Sequence, residues 1–233
     1  MPLLGKAAVA MWWDMAQVHR SEFEDWHSHE HFPERMRIPG FARGSRWASA
    51  GGGDGFFVMY ELAAFETLTS PAYLARLNEP TPWSVKMMPH HCNMVRSQCR
   101  VLASHGGGIA AHLLTVRLSP APSRADALQR HLDGVLSRLT QRAGLTAAHL
   151  LQTQTPQLAQ TTEQKIRGGA DGAADWIVLA SGYGARTLHG LIEGQGELGA
   201  AALGEAGAQA GQTAGLYRLS YAMAAGDLSQ PPA

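Results

Sequence analysis

Residues 26–41 read Trp26-His27-Ser28-His29-Glu30-His31-Phe32-Pro33-Glu34-Arg35-Met36-Arg37-Ile38-Pro39-Gly40-Phe41. Three of the chain's eleven histidines fall within five residues here, and two arginines follow. Just upstream, Glu22, Glu24 and Asp25 place negative charge where a helix dipole favours it. Ser21 and Glu24 have the spacing of a capping box, so we expect a helix from Ser21 to about Met36. Pro33 removes a backbone donor and should kink or end that helix. Pro39-Gly40 then stops it, and an apolar strand begins at Phe41.

Working outward, Ala7–Met15 is apolar and reads as a buried strand. Phe41–Ser49 is a second strand with Phe41, Arg43, Ser45 and Trp47 on one face, and Gly51–Gly55 is a hairpin loop before a third strand, Phe56–Ala63. Ser70-Pro71 opens a helix to about Leu77. Residues 78–89 hold three prolines and read as a surface loop carrying Trp83. Asn93–Ser104 is a fourth strand. The order is βαββαβ.

Gly106-Gly107-Gly108 marks a boundary, and the same order returns beyond it. Strands are expected at 109–118, 146–154, 176–181 and 216–224, with helices at 124–142 and from Arg186 to about Ile192. Residues 157–167 read as a polar loop, and the Gly/Ala-rich stretch to Gly215 as another. Met36–Phe41 corresponds to Thr140–Leu145, each a helix end, a glycine and an apolar strand start; Phe57–Tyr60 corresponds to Ile177–Ala180. The chain therefore reads as α+β, with two tandem ferredoxin-like βαββαβ repeats over residues 1–105 and 106–233. The first and third strands lack polar alternation, so both sheet faces should be covered. Packing the two repeats sheet to sheet as an intrachain α/β barrel does this.

Nineteen basic and nineteen acidic residues cancel, which argues against nucleic acid or an anionic membrane as partner. Two cysteines, Cys92 and Cys99, make no disulfide framework and suit a reducing compartment. Residues 1–6 lack the features of a secretory leader, and no run approaches the roughly 18 apolar residues of a membrane span. The expectation is a cytoplasmic protein.

The run His31-Phe32-Pro33-Glu34-Arg35 followed by Ile38-Pro39-Gly40-Phe41 resembles the EthD-like branch of the dimeric α/β-barrel superfamily, and Ser70-Pro71-Ala72-Tyr73-Leu74 fits the second helix of such proteins. The resemblance covers residues 7–104 by motif and 109–224 by element order. It implies a small-molecule catabolic enzyme using histidine acid/base chemistry on an aromatic or lactone-like substrate, of isomerase, lyase or cofactor-free oxygenase type. It also implies alternatives: a haem- or small-ligand-binding protein, or a non-catalytic accessory protein. His31 resembles the first-helix histidine that acts as acid/base in methylmuconolactone isomerases. The cysteine partner of that type has no counterpart, since Cys92 and Cys99 both lie around the fourth strand.

His27, Glu30 and His31 also spell H-x-x-E-H, a zinc-peptidase spacing, but Pro33 distorts the turn and no third ligand stands in a recognisable context. No metal is expected. His29 lies about 200° around the helix from His27 and should be solvated. His31, whose imidazole titrates near neutrality, is the candidate acid/base, with Tyr60 as donor to a carbonyl or enolate. Arg43 and Arg46 are candidates for a substrate carboxylate, and His27, Trp47 and Trp83 for lining the pocket. His90-His91 is a candidate cover for its mouth. The second repeat, with single scattered histidines, reads as a scaffold. No cofactor is expected, with haem the alternative; the partner is a small molecule, with a homodimer possible.

Overall fold

Strand β1 (Ala7–Asp14) is buried on both faces because a helical layer covers one and the barrel interior the other. The computed structural model describes residues 3–157, 159–168 and 171–228, so residues 1–2, 158, 169–170 and 229–233 lie outside it. After β1 come α1 (Gln17–Trp26), a single π-helical turn (His27–His31) and α2 (Phe32–Met36). Then follow β2 (Phe41–Ser49), β3 (Gly55–Leu62), α3 (Pro71–Asn78), α4 (Pro82–Met87) and β4 (Cys92–Gly106). The second half runs β5 (His112–Leu118), α5 (Ala125–Leu139), β6 (Leu145–Thr153), α6 (Thr162–Arg167), β7 (Trp176–Gly182), α7 (Ala185–His189), α8 (Ala200–Ala206) and β8 (Thr213–Ala224).

The strands close in the order β1-β3-β2-β8-β5-β7-β6-β4, every neighbouring pair antiparallel. Each half thus has the ferredoxin-like order, 4-1-3-2 and 8-5-7-6. The two sheets join edge to edge through β2–β8 and β4–β6, and closure leaves no open edge. β4 and β8 are the longest strands, 15 and 12 residues, and each carries one of the two seams between the halves, to β6 and to β2. The chain is an α+β protein with a tandem ferredoxin-like fold closed as one barrel.

Three apolar layers result. One lies between α1–α4 and the outer face of the first sheet, the second between α5, α7, α8 and the outer face of the second sheet, and the third fills the barrel. α5 shows the logic: Leu128, Leu132, Val135, Leu136 and Leu139 fall on one stripe and are all buried. At roughly 1.5–3 kcal/mol per buried side chain, that stripe outweighs any propensity effect within the helix.

Several local expectations change. α1 begins at Gln17, with Ala16 as an unassisted cap. Ser21 lies inside the helix, since Gln17 anchors the start by donating to Asp54 Oδ1 at 3.0 Å. Residues 82–87 and 162–167 are helical, each capped by a threonine, Thr81 and Thr161. The Gly/Ala-rich stretch contains α8. In β2 a bulge between Phe41 and Arg43 turns Phe41 to the helical layer, while Ser45 and Trp47 face the barrel interior. The two glycine turns named above are built alike: Gly40 and Gly144 have φ of +94° and +92°, and a Cβ on either would press within 3 Å of a threonine hydroxyl, Thr67 or Thr187. Only glycine satisfies both demands.

Candidate functional site

A cavity lies in the first helical layer, between the π-turn and the outer faces of β1, β3 and β4. Its empty volume, mouth included, is about 950 Å³. Pro33 has no N–H to give to the carbonyl four residues back, and its ring crowds that carbonyl. The chain answers with a π-turn in which the Phe32 amide reaches His27 O. Within this turn His27 and His31 stack, with ring centroids 5.1 Å apart and an interplanar angle of 17°.

Both imidazoles are buried and packed among aromatic rings, His31 on Trp26 at 4.6 Å and His27 edge-on to Phe32 at 4.6 Å. Burial holds both far below the usual histidine range; the neighbouring His31 adds to the effect on His27, and Arg35 to that on His31. Both are therefore neutral near pH 7. The Nδ1 atoms of both have no hydrogen-bond partner. A third ring, His91, lines the same cavity 4.9 Å from Trp13. Its Nδ1 sits 3.1 Å from Met88 O, which fixes the proton on Nδ1 because a carbonyl only accepts. Burial lowers its pKa to about 4.

Tyr60 lines the cavity from β3. Its hydroxyl is buried without a partner, and burial raises its pKa, so it is a neutral donor. Gly44 on β2 makes room for it: a Cβ there would lie 2.3 Å from the Phe32 ring and 2.9 Å from the Tyr60 ring.

Residues from the second half close the cavity. The segment carrying α6 crosses to the first half, where Thr162 N donates to Asn78 Oδ1 at 3.1 Å, and Gly172 exchanges backbone bonds with Met94 and Arg96 on β4. Thr161 and Gln164 form a capping box. Glu163 makes a buried ion pair with Arg35. Burial alone would lower the Arg35 pKa, but the Glu163 carboxylate outweighs it and holds the guanidinium charged.

The structure thus brings together His27, His31 and Tyr60 of the residues singled out from sequence. Trp47 and Arg43 point to the opposite face of the sheet; Trp47 packs in the barrel interior, and Arg43 pairs with Glu61 at 2.7 Å. Arg46 lies on the helical face but toward β8, its guanidinium over the Phe23 and Tyr221 rings and bonded to Ser220 Oγ. Trp83 sits on α4 and donates to Glu22. His29 is exposed, as its helical position implies. Glu30 accepts from Trp26 Nε1 and Thr81 Oγ1, so the H-x-x-E-H carboxylate is spoken for. Among the described residues, no three His, Cys, Asp or Glu side chains are placed to hold a metal ion. No helix there is long and apolar enough to cross a membrane.

Arg35, Tyr73, Arg96, Glu163 and Arg167 line the cavity without having been singled out. Arg35 stood inside the opening motif, but its partner lies 128 residues away and left no local trace. For α6 the signal was present: Thr161 and Gln164 have capping-box spacing.

No family model matches the chain, and no curated protein matches it. Solved structures do. An anthrone oxidase-like protein aligns with a TM-score of 0.66 at 13% identity, covering 97% of both chains. A provisionally named monooxygenase from Fusobacterium nucleatum subsp. nucleatum aligns at 0.62 with 5% identity, covering 95% of this chain and 96% of that one. A provisionally named chlorite dismutase aligns at 0.51 with 10% identity, over 96% and 97%. Coverage of both partners is nearly complete, so the likeness spans both halves. With the strand order above, the chain has the fold of the dimeric α/β-barrel superfamily, both of its ferredoxin-like units lying in one chain.

Proposed function

We propose that this chain is a small-molecule enzyme of the EthD-like kind that applies histidine acid/base chemistry to a flat, enolisable aromatic substrate. The carrying observation is His31: a buried, neutral imidazole on the wall of an aromatic-lined cavity, beside the permanently charged Arg35 and opposite the neutral Tyr60 hydroxyl. His31 takes a proton from an acidic C–H or O–H of the substrate. The Tyr60 O–H and the free Nη1 of Arg35 then meet the enolate or phenolate that forms. Trp13, Trp26 and Tyr73 give ring faces for a planar substrate.

The names of the similar structures support an oxygenase version of this chemistry. In it, an activated methylene loses a proton to His31, and the carbanion passes electrons to dioxygen and is captured as a hydroperoxide. The hydroperoxide then loses water to leave a ketone. The balance is CH2 + O2 → C=O + H2O, and the proton held by the imidazolium leaves with the water. No resident cofactor takes part. Haem fits this wall poorly, because Trp13, Phe23, Trp26 and Phe32 crowd His27 at 4.6–6.0 Å, and His31 is pressed between Trp26 and His27. Both cysteines are free and suit a reducing compartment, and we place the protein in the cytoplasm as a catabolic enzyme.

Oxygen uptake with anthrone as trial substrate tests this. His31→Asn should lower the rate about 100-fold or more, as loss of a general base does, with the melting temperature nearly unchanged. Full activity in a folded His31→Asn protein would sink the assignment. A Soret band gained on adding haem, and lost in the same variant, would establish the haem alternative instead.

A further inference from the structure

The charges on the cavity wall do not balance. Arg35, Arg96 and Arg167 line it, and Glu163 is the one carboxylate among its lining residues. Glu163 is taken by Arg35. Arg167 pairs with Asp171, behind the wall, at 2.9 Å. Arg96 has no ion pair among the described residues; its Nη2 donates to the Tyr73 hydroxyl at 2.8 Å. The imidazoles of His27, His31 and His91 are neutral and change nothing in the count. Three guanidiniums thus face two carboxylates, Asp171 included, in an enclosure where charge is weakly screened.

The spare donors point the same way. Arg35 Nη1 and Arg167 Nε are both buried without a hydrogen-bond partner. The Arg96 amide donates to Gly172 O at 2.8 Å, next to Asp171 in sequence, so Arg96 and Arg167 stand where the α6 segment is sewn to β4. Unpaired buried guanidinium donors are costly, and a carboxylate is the acceptor whose geometry a guanidinium fork matches.

We infer that the cavity's ligand is an aromatic carboxylate, its ring held among Trp13, Trp26 and Tyr60 and its carboxylate by Arg96 and Arg167. Arg167, on α6 of the second half, thereby supplies half of the anion site. This deepens the function proposed above by naming a substrate class, and it uses arginines that the acid/base step does not need.

Isothermal titration calorimetry with 2-naphthoate and its neutral isostere 2-naphthamide tests it, on the wild-type chain and on Arg96→Gln, Arg167→Gln and His31→Asn, each checked for cooperative melting. Naphthoate should bind at least tenfold more tightly than the amide. Each Arg→Gln variant should lose about tenfold or more for naphthoate and little for the amide. Arg167→Lys, which keeps the charge, should retain part of the preference if Arg167→Gln melts early. His31→Asn should keep the preference, so a failed catalytic assignment remains separate from a failed anion site. Equal binding of the two probes, no binding of either, or an undiminished preference in both folded Arg→Gln variants would overturn the inference.

Discussion

His31 and its neighbour Arg35 show how one side chain's chemistry is set by what surrounds it. Burial removes the water that would solvate an imidazolium, and the Arg35 charge opposes it further. The His31 ring should therefore stay neutral throughout the range where an ordinary histidine titrates. A proton NMR titration of its Cε1–H should show a midpoint well below the ordinary 6.5, and the acid limb of kcat/KM should move down with it. A midpoint near 6.5 in the folded protein would refute the electrostatics. This residue was legible in sequence because Pro33 and Pro39-Gly40 flag a helix ending against its own sheet. Tyr60 was legible as a residue of a strand facing that helix. The arginines were not. A bulge after Phe41 reverses the alternation on which Arg43 was read, and nothing local reveals that Arg35 will meet Glu163.

The element that most alters the sequence reading is α6. Its six residues are too few for a helix to persist alone. It stands because Thr161 and Gln164 cap it reciprocally and because Glu163 is locked to Arg35. Replacing one partner strands a buried charge, which costs about 3–5 kcal/mol, whereas replacing both with apolar residues of similar volume is often neutral. Arg35→Met should thus lower stability in urea melts by about that much. The Arg35→Met, Glu163→Met double variant should recover most of the loss. If the double variant were no more stable than the single, the pair would not be what holds the segment down. The π-turn left a fainter mark in the sequence: Pro33 announced a distortion, but a kink, a stop and a widened turn all answer the same missing N–H.

Across the whole molecule, the element order was readable because each half alternates periods of two and 3.6 residues with glycine turns between. Closure into a barrel was implied by strands apolar on both faces, as the burial of β1 and β3 bears out. The register that joins β2 to β8 and β4 to β6 was not readable, since bulges interrupt both seams. The finished fold packs histidines into two of its layers. His27, His31 and His91 lie in the first helical layer, and His149 is in the barrel wall with its Nδ1 2.7 Å from Ser104 Oγ. Burial depresses the pKa of all four, to about 4 for His91 and His149. Below the ordinary value of 6.5 the unfolded chain takes up protons that the folded chain refuses, so acid favours unfolding. Stability should be fully present above about pH 6.5 and fall steadily as pH drops toward 4. Each histidine contributes at most about 1.4 kcal/mol per pH unit over that window. Against a typical total of about 5–15 kcal/mol, the combined loss is a sizeable fraction of the stability. Urea melts at pH 7, 6 and 5 should show the decline, and His149→Gln, which lies outside the cavity, should make it shallower by one histidine's share. Constant stability from pH 7 to pH 5 would mean that the buried imidazoles are accepting protons in the folded protein.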